Sequence, residues 1–213
     1  MSLKSSARLM KTMNARFEKI VDGIYRLKIP FDTVYTSVFL VLTESGRVLV
    51  DCATTDHDVD GYIIPALREL GIKPTDIEAI VITHNHGDHA GGLERILHHA
   101  PDIEVIREAC MISDELSAYP LYGHAKNMIG LLDTRTGTLI SGDGLQGAGV
   151  DKYRAYAENK RAYYETLERI KQDERIENLV FSHAYEPWYR DHIFGREGVL
   201  EAIEECKKYI IGE

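Results

Sequence analysis

Four residues of metal-binding type stand within six positions: His84, His86, Asp88 and His89, in the run Thr83-His84-Asn85-His86-Gly87-Asp88-His89. On an extended segment, side chains two positions apart face the same way, so His84 and His86 can reach one point. Gly87 would allow a sharp turn, after which Asp88 and His89 face a second point close by. Imidazole and carboxylate together suit zinc, and also iron or manganese. A surface turn can gather His and Asp by chance, but four ligand-type residues at the end of an apolar strand form a much stronger pattern. Four ligands cannot fill two metal sites, so partners must come from elsewhere. His124 follows Gly123, Asp143 sits in Ser141-Gly142-Asp143-Gly144, and His183 follows an apolar run over 179–182. Each is expected in a loop at the carboxyl end of a strand, where α/β proteins gather their sites.

The elements that must position these residues follow from periodicity. Strands are expected over 23–30, 37–43 and 47–51, with Glu44-Ser45-Gly46 as the turn between the last two. Their apolar runs are continuous rather than alternating, so part of this sheet should be covered on both faces. A helix is expected over 58–70, with Val59, Ile63, Leu67 and Leu70 at helical spacing and Gly71 then Pro74 to stop it. A strand over 77–83 delivers the His-Asp motif, and Gly91-Gly92 leads into a helix carrying Leu93, Ile96 and Leu97. Beyond it come a strand over 103–107, a short helical stretch to 116, and a hairpin of 128–133 with 138–141. A long helix is expected over 153–170, its stripe of tyrosines read as core, then a strand over 179–182 and a last helix over 195–210. No low-complexity segment or linker interrupts the chain. The expectation is a flexible tail over 1–16 and a single domain over 17–213, sheets inside and helices outside.

Of the 213 residues, 44% are hydrophobic and 28% charged, the balance of an ordinary globular protein. The net charge of −9 and the lack of a dense Lys/Arg run weigh against nucleic acid and anionic membranes as partners. No apolar run approaches the ~18 residues of a spanning helix. A small-molecule substrate is the partner that fits. Cys52, Cys110 and Cys206 are odd in number and form no C-x-x-C pair, which points to buried thiols in a reducing cytoplasm.

One family shares these features together: Thr-His-Asn-His-Gly-Asp-His-Ala-Gly-Gly at 83–92, Gly123-His124, Ile-Gly-Leu-Leu-Asp at 129–133, Ser141-Gly142-Asp143, Ser182-His183, and the strand pair ending in Val50-Asp51. From about residue 20 onward the sequence resembles the metallo-β-lactamase-fold metal-dependent hydrolases. The resemblance implies an α/β fold, an αββα sandwich of two mixed β-sheets packed face to face with helices on the outer faces. It implies two divalent metal ions per chain, zinc first, with iron or manganese as alternatives. His84, His86 and His124 would hold one metal, Asp88, His89 and His183 the other, and Asp143 would bridge them. It implies hydrolysis of a small ester, thioester, lactone or phosphoester by a hydroxide held between the metals. Asp88 or a metal-bound water would return a proton to the leaving group, and Asp88 and Asp143 are the catalytic candidates. An iron-dependent oxygenase of the sulfur-dioxygenase kind and a non-catalytic metal-binding module are the alternatives.

The sequence departs from that pattern in places. Positions 89 and 124 are only 35 apart, a short interval for the family, so the pocket is expected to be open or completed by a second subunit in a homo-oligomer. Ala125, Lys126 and Asn127 stand where the family often continues Thr-Pro-Gly, and either solvent or substrate could be the partner of Lys126 and Asn127. Gln146 occupies the position where the quorum-lactone lactonases carry Tyr, so that substrate is not supported. No cysteine holds a ligand position, as it does in some zinc β-lactamases. His57 is a candidate for approach to the site, and Tyr185 and Trp188 for a pocket wall or core.

Overall fold

The strands β1 (Glu18–Val21), β2 (Ile24–Phe31), β3 (Val34–Thr43) and β4 (Gly46–Val50) pair in sequence as antiparallel neighbours. β5 (Ala79–Val81) and β6 (Glu104–Ile106) extend this sheet in the order β1-β2-β3-β4-β5-β6. In β3, Val38, Phe39, Leu40 and Val41 are all fully buried, so successive residues on opposite faces are both covered. Between β4 and β5 runs one continuous helix, α1, made of Asp56–Asp58, a π-helical stretch Val59–Ile63, and Ile64–Glu69. Thr55 caps it, accepting from the Asp58 amide while the Asp58 carboxylate accepts from the Thr55 amide. This computed structural model describes residues 16–212; the tail expected over 1–16 lies outside them apart from Arg16. The chain forms two units, 16–80 with 86–104 and 81–85 with 105–212.

The second unit holds a mixed six-stranded sheet in the order β14-β13-β10-β9-β8-β7. Its strands are β7 (Cys110–Met111), β8 (Leu116–Pro120), β9 (Ile129–Asp133), β10 (Thr138–Gly142), β13 (Asn178–Tyr185) and β14 (Arg190–Phe194), and a small ribbon of β11 (Gly149–Val150) with β12 (Tyr153–Arg154) stands apart. β10 runs parallel to β13, and the other pairs are antiparallel. Helix α4 (Lys160–Gln172) lies between β12 and β13 in the chain, and α5 (Arg196–Cys206) follows β14. Leu167 and Ile170 of α4 and Val199 and Ile203 of α5 join Leu132, Leu139, Leu179 and Phe181 of the sheet in one apolar core. Each such side chain, fully buried, contributes about 1.5–3 kcal/mol. The two short helices α2 (Gly87–Ala90) and α3 (Leu93–His99) belong to the first unit.

Four expectations are corrected. The stretch before 116 is not helical: β7 and β8 form a hairpin whose turn is closed by Ser113, its hydroxyl accepting from the amides of Glu115 and Leu116. The helix expected over 153–170 begins only at Lys160, with Asn159 as its cap. The amides before it are taken by loop partners: Ala155 donates to the Ala148 carbonyl, Tyr156 to the Gln146 side chain, and Glu158 and Asn159 to the carbonyls of His124 and Gly123. Of the tyrosine stripe, only Tyr163 is fully buried, and Tyr156 is exposed. Cys52 and Cys206 are buried as expected, but Cys110 is exposed. Among the described residues, no helix is long and apolar enough to cross a membrane.

Candidate metal centre

The second unit carries four of the candidate ligands. β10 and β13 run parallel, and Gly142 lies opposite Phe181, so Asp143 and His183 emerge at the same end of the sheet. A register shift between Ile140 and Gly142 gives β10 an extra residue there, the device by which a strand re-aims a side chain at its end. His183 lies inside β13 rather than after it, a correction to the expected loop position. The Asp143 carboxylate faces two imidazoles with two different oxygens: Oδ2 is 3.7 Å from His124 Nε2, and Oδ1 is 3.4 Å from His183 Nε2. His84 stands edge-on to His124, ring centroids 5.0 Å apart. Ligand atoms of His84, His124 and Asp143 lie within 4.8 Å of one another. The amide of Ile129 donates to the Thr83 carbonyl and so ties the end of the motif strand to β9.

His124 is placed by a close approach. A Cβ on Gly123 would fall 2.3 Å from Tyr163 Cα, so only glycine lets the loop lie against the start of α4. The ring then turns its Nδ1 to the Tyr156 carbonyl oxygen at 3.0 Å. His84 places Nδ1 3.1 Å from Thr83 Oγ1. In both rings the outer nitrogen has a protein partner, which directs Nε2 to the ligand side.

The first unit carries the rest. His86 caps α2 with extended backbone and is exposed. Asp88 and His89 follow in its single turn, with Asp88 Oδ2 3.3 Å from His89 Nε2. His89 Nδ1 reaches Asp51 Oδ2 at 2.7 Å, both side chains fully buried. The main chain is locked here too: Cys52 gives both its amide (2.8 Å) and its thiol (3.2 Å) to the His89 carbonyl, and Thr36 Oγ1 donates to the Asp88 carbonyl.

These spacings test whether a metal suits the donors. Two donors about 2.0–2.1 Å from one tetrahedral ion stand about 3.3–3.4 Å apart. The Asp88–His89 and Asp143–His183 separations of 3.3 and 3.4 Å match that figure, and the Asp143–His124 separation of 3.7 Å suits a wider ligand angle. All three exceed a normal hydrogen bond. Imidazole and carboxylate donors at metal-sharing distance, with outer nitrogens already engaged, fit divalent metals.

Residues 31–109 match the family model described as the metallo-beta-lactamase superfamily. The solved metallo-beta-lactamase FIM-1 from Pseudomonas aeruginosa, in its mono-zinc form, aligns with a TM-score of 0.69 and 17% identity, over 90% of this chain and 94% of that one. The segment 31–109, which carries the run from His84 to His89, thus matches the metallo-β-lactamase superfamily, and the chain shares the fold of that solved enzyme. Its fold is therefore the αββα arrangement with two mixed sheets that the motifs implied. Two curated superfamily relatives are also similar. A beta-lactamase-like protein 2 homolog of Caenorhabditis elegans is 28% identical over 72% of this chain, which spans 59% of that protein's length. A hydroxyacylglutathione hydrolase of Pectobacterium carotovorum is 25% identical over 74% of this chain and 69% of its own.

Within the superfamily framework several other residues find their places. Asp51, seen in the sequence only as the end of a strand, is the partner of His89; a lone Asp closing an apolar strand was the available signal. Gln146 and Tyr156 flank His124 and could not be read locally. His57 is exposed and meets Tyr62 edge-on at 6.4 Å. Trp188 stacks on the core residue Phe181, ring centroids 5.2 Å apart, while the buried Tyr185 ring lies 5.6 Å from that of His183. Lys126 donates its amide to the Glu158 carboxylate. Gly87 takes no left-handed conformation, and a Cβ there would meet nothing within 4 Å, so it is not required for the turn.

Proposed function

We propose that this chain is a metal-dependent hydrolase of a small ester, thioester, lactone or phosphoester, working with two divalent ions, zinc foremost. The observation that carries the reading is the Asp143 carboxylate, which offers one oxygen toward His124 and the other toward His183. A carboxylate shared in that way is what a two-metal site requires of its bridge. His84, His86 and His124 would hold one ion with Asp143, and Asp88, His89 and His183 the other, the division the motifs imply; within the second unit the donor atoms of His84, His124 and Asp143 lie within 4.8 Å of one another, which supports the first group. Two such ions, when bound, lower the pKa of a water toward ~7 and polarise the bond to be cleaved. The protein's own part is to orient the imidazoles through Asp51, Thr83 and the Tyr156 carbonyl. Asp88, whose side chain keeps 13% of its surface exposed, is assigned to hold the proton destined for the leaving group. The hydroxyacylglutathione hydrolase relative puts a thioester first among candidate substrates. Three cysteines, none of them in a disulfide among the described residues, support a reducing, cytoplasmic setting, and the acidic charge supports a small molecule over nucleic acid as partner.

The test is a panel of thioester, ester, lactone and phosphodiester substrates given to zinc-loaded protein beside an Asp143→Ala variant. Turnover of one class, at least 100-fold lower in the variant, is expected. Inert metal-loaded protein across the panel, or oxygen uptake on a persulfide with redox-active iron, contradicts the hydrolase reading.

A further inference from the structure

We propose that Gln146 is a positioning residue for His124, one that sets which imidazole nitrogen carries the proton and hence how tightly His124 holds its metal. The inference rests on the metal-site reading above. Gln146 stands three residues after Asp143, in the loop between β10 and β11, and is 4% exposed. Its Oε1 accepts from the Tyr156 amide at 2.8 Å. A main-chain N–H can only donate, so this bond settles the orientation of the side-chain amide. The amide Nε2 then lies against His124 Nδ1, and the two are in contact. The same Nδ1 is 3.0 Å from the Tyr156 carbonyl oxygen, which can only accept.

The three groups therefore form a closed ring: Gln146 holds the Tyr156 main chain, Tyr156 faces His124, and Gln146 faces His124 directly. The Tyr156 carbonyl calls for a proton on Nδ1, which leaves Nε2 bare toward Asp143 and ready for a metal. The Gln146 amide N–H calls for the opposite, a lone pair on Nδ1 and a proton on Nε2. Gln146 thus does two things that separate chemically. Its oxygen keeps the carbonyl in place, which favours metal binding, and its nitrogen opposes the metal-binding tautomer. A carboxylate of the same shape would keep the first effect and remove the second. Neither bond can be found from the local sequence, because Gln146 lies 22 positions from His124 and 10 from Tyr156.

The experiment is a stepwise cobalt(II) titration of metal-free wild type, Gln146→Glu and Gln146→Leu, followed by the visible d–d bands. The imidazole ¹⁵N shifts of His124 are read in the metal-free proteins. Gln146→Leu releases the Tyr156 amide and should weaken one of the two binding steps 10- to 100-fold, the range typical for loss of an outer partner. Its His124 ring should lose the Nδ1–H preference. Gln146→Glu should bind that ion at least as tightly as wild type, with the proton firmly on Nδ1. A purely structural role would lower the melting temperature of Gln146→Leu and leave both cobalt steps and the ¹⁵N pattern unchanged, which overturns the proposal. Wild type that binds no cobalt overturns the site reading and this inference with it. Wild type and Gln146→Leu binding two ions equally well overturns this inference alone.

Discussion

Asp51 Oδ2 and His89 Nδ1 stand 2.7 Å apart with both side chains fully buried, 38 positions apart in the chain. Asp51 adopts a left-handed backbone, φ 61°, and Ala53 does so again at 60°. Such conformations are uncommon outside glycine and cost of order 1–3 kcal/mol each where the surroundings enforce them. Here they bring the Asp51 carboxylate under the ring and the Cys52 amide onto the His89 carbonyl. Asp51→Asn keeps an acceptor but removes the charge, so one metal should bind about 10- to 100-fold more weakly, with little loss of fold. Asp51→Ala leaves a buried imidazole N–H with no acceptor there and should also cost about 1–3 kcal/mol of stability. Metal-competition titration and denaturant unfolding check the two effects separately. Equal metal affinity in Asp51→Asn and wild type would show that the pair is structural only.

The glycines in and after the motif differ in what they permit. A Cβ on Gly92 would lie 2.3 Å from the Cys52 carbonyl oxygen and 2.6 Å from Val59 Cγ2, whereas one on Gly87 meets nothing. Gly92→Ala must displace backbone and is expected to destabilise by about 1–3 kcal/mol. Gly87→Ala should be neutral, or stabilise slightly by reducing unfolded-state entropy. Chemical denaturation of both variants decides it; equal stabilities would refute the close approach at Gly92.

The thiols should report burial and alkaline pH. Burial pushes the Cys206 thiol up to about 11 from its usual 9.0, and burial likewise pushes Tyr119 up to about 12 from 10.0. Both groups are neutral when protonated, and the folded chain favours that form. Their contribution to stability is complete below pH 9, where both folded and unfolded forms stay protonated. It is lost as pH rises, first between 9 and about 11 through Cys206 and then between 10 and about 12 through Tyr119. Cys206→Ala should flatten the first part of that loss. A thiol reagent at pH 8 should titrate one cysteine, Cys110, in the native protein and all three in denaturant. Three fast thiols in the native state would contradict this packing.

The candidate ligands were legible because few residue types suit metals and their spacing is local. His84, His86, Asp88 and His89 sit in one short run, and the positions of Asp143 and His183 follow from parallel β10 and β13. What escaped the sequence is non-local. Asp51 finds His89, and Gln146 finds His124, only through the fold. The 153–159 segment has the apolar spacing of a helix, yet its amides go to Ala148, Gln146, His124 and Gly123. β14 was missed because its residues, Arg190, Asp191 and His192 among them, lack strand character and gain it only by pairing with β13.

The most direct test of the central claim is elemental analysis of protein purified without chelator, wild type beside Asp143→Ala. The account expects two divalent metals per chain in the wild type, falling to one or none when the shared carboxylate is removed. Metal content unchanged by Asp143→Ala, or a wild type that retains none, would contradict it.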